Sequence, residues 1–235
     1  MDRSSQLQEN LVAIQGRMEA AMLSHNRPIG AVELLPVSKT KPASDIEALS
    51  ALGLTAFGEN YVQEAINKIQ ALNHLDLTWH YIGNIQSNKT QPIAQYFDWV
   101  HTVDREKIAT RLNDAREGAP LNVLIQVNVD QAPTKSGVHP DALDALVDHV
   151  LACPKLRLRG LMSIPDPSDA LELAQSHAHL KRLFDEIQSS GRASQQFDTL
   201  SMGMTTDLEL AIAHGSTMVR IGTALFGARA PKESL

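Results

Sequence analysis

The feature of this sequence that most constrains its fold is a regular alternation of strand-like and helix-like segments. From Val32 onward, short runs rich in apolar and branched residues are each followed by a helix-like stretch, and the pair recurs eight times within the 235 residues. The first predicted strand is VELLPVSK and the last is STMVRIG. Eight such units in a chain of about this length are typical of a closed (β/α)8 barrel, a parallel α/β fold.

Two further features complete the predicted organisation. An open, doubly wound sheet is the alternative fold, but the turn KTKPAS after the first predicted strand lacks the G-x-G-x-x-G pattern common in such sheets. Residues 1–30 contain an amphipathic helix that we expect to pack on the barrel. Because no linker or low-complexity tract interrupts the chain, residues 1–235 are predicted to form a single TIM-barrel domain with this extra N-terminal helix.

Composition limits the compartment and the partners. The formal net charge is −6, which argues against a nucleic-acid or anionic-membrane partner. The sequence has no signal-peptide layout, and no apolar run approaches the roughly 20 residues that cross a bilayer. Cys153 is the only cysteine, so no intrachain disulfide can form. We therefore expect a cytoplasmic protein.

The first predicted strand ends in a lysine, Lys39, which shares one side of the strand with Leu35 and Val37. A lysine at a strand end is commonly solvated, and this alternative stays open. In a barrel, however, the active face lies at the C-terminal ends of the strands, and the last two loops commonly hold phosphate. Those loops here are SMGMTTD and RIGTA, rich in small residues that let backbone N–H groups approach an anion.

A nucleophilic amine beside such a cradle suggests a Schiff base with a phosphorylated aldehyde. A lysine crowded by apolar groups and a second cation has a lowered pKa and can act as a nucleophile near neutral pH. Pyridoxal 5′-phosphate (PLP) is the leading candidate cofactor. Arg220, on the last predicted strand, could then donate to its pyridine nitrogen.

Several segments carry a resemblance to a known family. The chain resembles the PLP-binding homeostasis protein family, which is similar to the N-terminal barrel of alanine racemase, the third fold type of PLP proteins. The resemblance runs in order from about Val32 to Gly227. It is carried by VSKTKP, FGENYVQEA, WHYIGNIQSNK, TKSG, LRGLMSIP, LSMGMTTDLELAI and GSTMVRIGTALFG.

The resemblance implies a role for each site residue. It implies that Lys39 holds PLP as an internal aldimine and that Arg220 faces the pyridine nitrogen. The implied neighbours are Ser201, Gly222 and Thr223 at the phosphate, Gly203 and Met204 in the same phosphate-side segment, Asn60 near the ring, and Lys41 and Lys135 as candidate secondary PLP lysines.

Simpler interpretations remain open at three of these positions. Asn60 with Gln63 could be a helix capping pair, Lys41 could be a solvated lysine before a proline, and Lys135 could be an exposed loop lysine. His80 is interpreted as a packed core histidine. The nine histidines show no H-E-x-x-H or clustered Cys/His pattern, so we expect no metal site.

The expected function follows from the arginine. A protonated guanidinium leaves the pyridine nitrogen without a proton, and such a ring is a poor electron sink. The tyrosines Tyr61, Tyr81 and Tyr96 all lie within the barrel, and we see no counterpart of the tyrosine that alanine racemase takes from an extra domain. We therefore expect a monomeric, non-catalytic carrier that buffers PLP or delivers it, with PLP-dependent apo-enzymes as candidate partners. A small racemase and a cofactor-free Schiff-base aldolase are the alternatives.

Overall fold

The computed structural model describes residues 2–132, 135–166 and 169–228, so Thr134 of the TKSG segment and residues 229–235 of the expected domain lie outside the described residues. The strands are β1 (Glu33–Pro36), β2 (Ala56–Glu59), β3 (Thr78–Tyr81), β4 (Trp99–Val103), β5 (Leu121–Gln126), β6 (Leu156–Met162), β7 (Thr199–Ser201) and β8 (Met218–Ile221). The helices are α1 (Arg3–Ser24), α2 (Ala43–Ala51), α3 (Val62–Ala71), α4 (Thr90–Tyr96), α5 (Glu106–Ala115), α6 (Leu143–Leu151), α7 (Ala170–Ser189), α8 (Leu208–Ala213) and α9 (Thr223–Phe226). Short 3₁₀ turns span Ser87–Lys89 and Pro140–Ala142.

The predicted barrel is confirmed. The eight strands are all parallel and lie in the order β1-β8-β7-β6-β5-β4-β3-β2. The two ends of this order meet where Val37 pairs with Gly58, and the Ser38 N–H donates to the Gly58 carbonyl at 2.9 Å. This contact brings β1 and β2 together and closes the ring.

Apolar side chains fill two layers. A large outer layer between the strands and the helices contains buried rings such as Phe57, Phe97 and Phe197. A smaller cluster inside the ring consists of Leu35, Val37, Ile82 and Met218. The alternation of side chains along β1 thus directs Leu35 and Val37 inward, as the sequence predicted.

The first strand ends earlier than the sequence predicted. Its ladder stops at Pro36, with single backbone contacts from Val37 and Ser38, and does not reach Lys39. The physical reason is a turn: the Lys41 N–H donates to the Ser38 carbonyl at 3.0 Å, and Thr40 takes a positive φ of 63°. Lys39 therefore sits in a turn at the mouth of the barrel.

The N-terminal helix is also shorter than residues 1–30. It ends at Ser24 because Asn26 takes a positive φ of 54° and Pro28 follows, which a continuing helix does not accommodate. Helix α1 packs against α2, α8 and α9. Its buried face has helical spacing and consists of Leu7, Leu11, Ile14, Met18, Ala21 and Met22.

Candidate functional site

Most of the predicted site residues lie at one mouth of the barrel, on a contiguous arc of strands. Lys39 follows β1, Asn60 follows β2, Ser201 ends β7 and Arg220 belongs to β8. These four strands are neighbours around the ring, in the order β7-β8-β1-β2. Lys135 is the exception, since it lies in the half-buried loop after β5, away from this arc.

Strands β8 and β1 place Gly222 and Arg220 beside the segment that leads to Lys39. Leu35 pairs with Arg220 in register, and the Val37 N–H donates to the Ile221 carbonyl at 2.9 Å. A Cβ added to Gly222 would lie 3.5 Å from the Val37 carbonyl oxygen. Lys39, two residues beyond Val37, is half-buried.

The loop after β7 lies against the loop after β8. The backbone N–H of Arg220 donates to the Gly203 carbonyl at 3.0 Å. Gly203 has a φ of +95°, and a Cβ there would lie 2.4 Å from the Cβ of Ala211, so only glycine fits this close approach. The Met204 N–H donates to Asp207 Oδ1 at 2.8 Å, which fixes the start of α8.

A hydroxyl and a backbone amide connect the two loops at this edge. The Ala224 N–H donates to Thr205 Oγ1 at 3.4 Å, which joins the β8 loop to the β7 loop. Gly222 is half-buried and Thr223 is exposed. Small residues and backbone amides therefore meet at the mouth, as expected of an anion cradle.

Arg220 belongs to a buried chain of hydrogen bonds inside the ring. Its Nη1 donates to Ser201 Oγ at 2.8 Å, and its Nη2 donates to the Ser163 carbonyl at 2.8 Å. Ser201 Oγ lies 3.1 Å from His101 Nδ1, and His101 Nε2 lies 2.9 Å from His80 Nδ1. We call Arg220, Ser201, His101 and His80 the Arg220 chain.

The Arg220 chain carries one charge. Burial lowers the pKa of Arg220 to about 10, so the guanidinium is protonated at neutral pH. Burial, aided by the charge of Arg159, lowers the pKa of His80 to about 3, and burial together with His80 and Arg220 holds the pKa of His101 well below its ordinary value. No carboxylate forms an ion pair with Arg220 in the part of the chain that the structure describes.

The interpretation of His80 as a packed core histidine is confirmed. Its side chain is 2% exposed and stacks on Trp99 with ring centroids 5.2 Å apart. The sequence analysis did not single out His101, although it shares the inward face of DWVHTV with Trp99. That alternation was the available signal.

A second buried cluster lies behind Lys39, between the barrel wall and α3. Lys68 Nζ donates to Glu59 Oε1 at 2.6 Å, to Glu64 Oε1 at 2.6 Å and to the Ser38 carbonyl at 2.8 Å. Glu59 Oε1 also accepts from Ser38 Oγ at 2.7 Å, and Glu64 Oε1 accepts from the Thr40 N–H at 2.6 Å. We call Ser38, Glu59, Glu64 and Lys68 the ionic clamp.

The ionic clamp fixes the backbone on both sides of Lys39. Glu59 is fully buried, and burial raises its pKa, although the charge of Lys68 acts in the opposite direction. Sequence reasoning missed this cluster. The i,i+4 spacing of Glu64 and Lys68 was visible, but their contact with Glu59 depends on how α3 packs.

The capping interpretation of Asn60 is wrong. Helix α3 begins at Val62 and its N-cap residue is Tyr61, so Asn60 lies before the helix. Among the described residues, Asn60 Oδ1 is a buried atom without a hydrogen-bond partner. A Cβ on Gly83 would lie 2.2 Å from the Asn60 carbonyl oxygen, which shows how closely the β3 loop approaches.

Lys41 is held at the C-terminal end of α9. Its Nζ donates to the carbonyls of Phe226, Gly227 and Ala228 at 3.2, 3.1 and 3.0 Å. A cation is stabilising at a helix C-terminus. The structure thus gives Lys41 a contact that joins the Lys39 turn to the β8 loop.

The tyrosines differ in their surroundings. Tyr81 donates its hydroxyl to the Asn84 carbonyl at 3.0 Å, and burial raises its pKa to about 12. Tyr61 is 51% exposed and lines, with Asn60, a cavity of about 550 Å³. Tyr96 is exposed at the end of α4.

Two features of the described residues bear on other kinds of site. None of the helices they form is long and apolar enough to cross a membrane. Within the same residues, no group of three or more His, Cys, Asp or Glu side chains is arranged to hold a metal ion.

Comparisons with known proteins agree with this geometry. The pyridoxal phosphate homeostasis protein of Haemophilus influenzae is 50% identical over 228 residues, which cover 95% of this chain and 96% of that protein. The structure of PipY from Synechococcus elongatus PCC7942 with PLP bound is 36% identical, with a TM-score of 0.79, over 91% of this chain and all of that one. An alanine racemase of Clostridium difficile shares the fold at 13% identity and a TM-score of 0.74, over 97% of this chain and 57% of the racemase.

The family expected from the sequence is therefore confirmed. Residues 5–230 match the family described as alanine racemase, N-terminal domain. Relatives that match across almost their whole length carry the name pyridoxal phosphate homeostasis protein. This chain belongs to the alanine racemase N-terminal domain family and, within it, to the pyridoxal phosphate homeostasis proteins.

Proposed function

We propose that this protein binds PLP through Lys39 and takes part in intracellular PLP homeostasis, buffering or delivering the cofactor without robust catalysis. The names of the relatives and the PLP bound by PipY support the proposal. When bound, PLP would supply an aldehyde, and the Lys39 amine is the group that would hold it.

The observation that carries the proposal is the electrostatic state of Arg220. Its guanidinium is 4% exposed and donates to two neutral partners, Ser201 and the Ser163 carbonyl, while the charge of Asp207 acts on it without an ion-pair contact. A buried cation is costly unless an anion or a strong acceptor compensates it. A phosphate ester with a pyridine nitrogen offers both, and Arg220 stands on the strand paired with β1, close to the Lys39 turn.

The other residues fit the same ligand. Gly222 and Thr223 lie at the rim, where backbone amides would hold the phosphate. Gly203 and Met204 lie in the adjoining β7 loop, where the Met204 N–H is engaged by Asp207. Asn60 brings a buried oxygen atom, Oδ1, that has no hydrogen-bond partner within the described part of the chain. An orphaned acceptor at a site mouth is expected where a ligand group completes the hydrogen bonds.

The residues of this chain favour holding the cofactor over turnover. Arg220 stays protonated and would donate to the ring nitrogen of bound PLP, so that this nitrogen would carry no proton of its own. Tyr81 is a poor acid–base group near neutral pH because its pKa is about 12 and its hydroxyl is engaged. The exposed Tyr61 beside Asn60 keeps a small racemase as the second candidate.

The proposal includes a monomer in the cytoplasm that passes PLP to apo-enzymes. Sedimentation at several concentrations measures the oligomeric state. Mixing the PLP-loaded protein with an apo-form of a PLP enzyme, and following the recovered enzyme activity, measures delivery.

The test is a titration with PLP followed by absorbance. The wild type should develop the band of a protonated Schiff base near the visible range, and Lys39→Ala should not. Lys135→Ala is the matched control, because Lys135 lies away from the arc and the variant should keep the band. A Lys39→Ala protein with an unchanged band would contradict the proposal, and brisk racemisation of an amino acid by the wild type would replace the carrier with the racemase.

A further inference from the structure

We infer that Ser201, His101 and His80 are positioning residues that hold Arg220 toward the ring of the cofactor, and that Ser201 acts through Arg220 and does not hold the phosphate. The inference rests on the proposed function and refines it. It replaces the role at the phosphate that the family resemblance implies for Ser201.

The direction of the hydrogen bonds along the Arg220 chain carries the argument. A guanidinium only donates, so Ser201 Oγ accepts from Arg220 Nη1 at 2.8 Å. The one hydroxyl proton of Ser201 then goes to His101 Nδ1 at 3.1 Å. This leaves the His101 proton on Nε2, which donates to His80 Nδ1 at 2.9 Å.

This order requires two neutral histidines, and the surroundings provide them. Both rings are buried inside the barrel, where His101 is 0% and His80 is 2% exposed. If His101 Nδ1 carried a proton, Ser201 Oγ could accept it with its second lone pair, but the buried Ser201 hydroxyl would then have no acceptor among the described residues. The need of this hydroxyl for an acceptor therefore fixes the tautomers along the chain.

The proton count leaves Ser201 with nothing to donate to a phosphate. Its hydroxyl proton is given to His101, and Ser201 is 0% exposed. The half-buried Gly222 and the exposed Thr223 lie instead at the rim, beside open solvent. An anionic phosphate is better solvated there than in the barrel interior.

The chain is also anchored at its far end. His80 stacks on Trp99, and the Arg159 guanidinium lies 4.4 Å from the Trp99 ring centroid. Arg159 in turn donates to both oxygens of Asp198, at 2.9 and 2.7 Å. Because the links join β8, β7, β4 and β3 across the ring, they resist a rotation of the Arg220 side chain.

The test compares three ligands on Ser201→Ala: PLP, pyridoxal without the phosphate, and 1-deaza-PLP, in which a C–H replaces the pyridine nitrogen. Loss of one hydrogen bond to Arg220 should raise Kd about fivefold to tenfold for PLP and by the same factor for pyridoxal. With 1-deaza-PLP, which offers Arg220 no acceptor, the Kd of the variant should stay within about twofold of the wild-type Kd. A loss seen with PLP but not with pyridoxal would make Ser201 a phosphate ligand and overturn the inference.

A second variant tests whether His101 affects cofactor binding through Ser201 and Arg220. His101→Phe should weaken the binding of PLP and of pyridoxal by the same factor. The double variant Ser201→Ala/His101→Phe should bind each ligand as weakly as Ser201→Ala alone. Additive losses in the double variant would contradict the inference. If His101→Phe does not fold, the ligand ratios of Ser201→Ala decide the matter alone. Thr223→Ala is the control on the phosphate side and should weaken the binding of PLP but not that of pyridoxal.

Failure of the inference and failure of the proposed function are distinguishable. A wild type that binds neither PLP nor pyridoxal removes the proposed function and the inference with it. A wild type that binds PLP, with a Ser201→Ala loss confined to the phosphorylated ligand, removes the inference only.

Discussion

The ionic clamp and the Arg220 chain solve opposite problems at the same end of the barrel. In the clamp, Lys68 is buried between two carboxylates and the Ser38 carbonyl, so its charge is compensated within the protein. In the Arg220 chain, a buried guanidinium donates to neutral groups, and the charge of Asp207 acts on it without an ion-pair contact. The clamp is thus compensated by direct ion pairs, whereas Arg220 makes no such pair among the described residues, as the proposed ligand site requires.

The two regions also hold different parts of the site. The clamp acts outside the barrel wall and ties the backbone at Ser38 and Thr40, the two neighbours of Lys39, through the Ser38 carbonyl and the Thr40 N–H. A positive φ at a residue such as Thr40 is costly and persists only where its surroundings enforce it. The Arg220 chain acts inside the wall and orients a side chain. The backbone around Lys39 and the side chain of Arg220 are thus fixed by separate sets of contacts.

The largest expected effect is on the clamp. Lys68→Met removes one partner of a buried ion pair and leaves Glu59 buried without it, which should lower the free energy of unfolding by about 3–5 kcal/mol. Urea denaturation measures this. Lys181→Met, which breaks the exposed pair with Asp185, is the control and should cost at most about 0.5 kcal/mol. Equal losses in the two variants would show that the clamp is no stronger than a surface pair.

The next prediction compares two glycines, Gly203 in the loop after β7 and Gly222 in the loop after β8. Gly203→Ala forces a side chain into positive φ and against Ala211, and should cost about 1–3 kcal/mol of stability. Gly222→Ala meets only ordinary contacts with Val37, so stability should change by less than about 0.5 kcal/mol. Its added methyl should nevertheless raise the Kd for PLP about tenfold, roughly 1.4 kcal/mol. Unchanged PLP binding in Gly222→Ala would remove this glycine from the cradle.

The pH dependence of stability should have opposite signs for Glu59 of the ionic clamp and for Asp207, whose charge raises the pKa of Arg220. Burial raises the pKa of Glu59 above 4.5, so its contribution is full below about pH 4.5 and is lost as the pH rises through the folded pKa. Burial alone would raise the pKa of Asp207, but hydrogen bonds from His177 and the Met204 N–H hold it below 3.8. Its contribution is present above about pH 3.8 and is lost as the pH falls through the folded pKa.

Two variants measure these signs by urea denaturation between pH 3 and 7. The stability advantage of the wild type over Glu59→Gln should shrink as the pH rises, and its advantage over Asp207→Asn should grow. If both differences changed in the same direction, the contrast between the regions would be wrong.

The smallest effect concerns the contact between the Lys39 turn and α9. Lys41→Met removes a cation from three carbonyls at the end of that helix and should cost about 0.3–1 kcal/mol. Thermal unfolding measures it. The amount of PLP that borohydride fixes should not change; a lower amount would show that Lys41 receives cofactor.

Features set by local sequence patterns could be predicted, whereas contacts set by long-range packing could not. The eight units were recognisable because strand and helix periodicities are local, and alternation along the last strand placed Arg220 on one face with Met218. Alternation did not reach Lys39, because β1 ends at Pro36. The contact between His101 and Ser201 joins residues 100 positions apart, and it exists only because the ring closes. Asn60 was misjudged as a candidate cap because α3 begins two residues beyond it, where Tyr61 takes that position.

The most direct test of a site built around Lys39 is to reduce the PLP-loaded protein with borohydride and map the modified peptide by mass spectrometry. The account predicts one pyridoxyl group, on the peptide that contains Lys39, at close to one per chain. A protein modified at Lys41 or Lys135 with Lys39 unmodified, or one that carries no adduct at all, would contradict it.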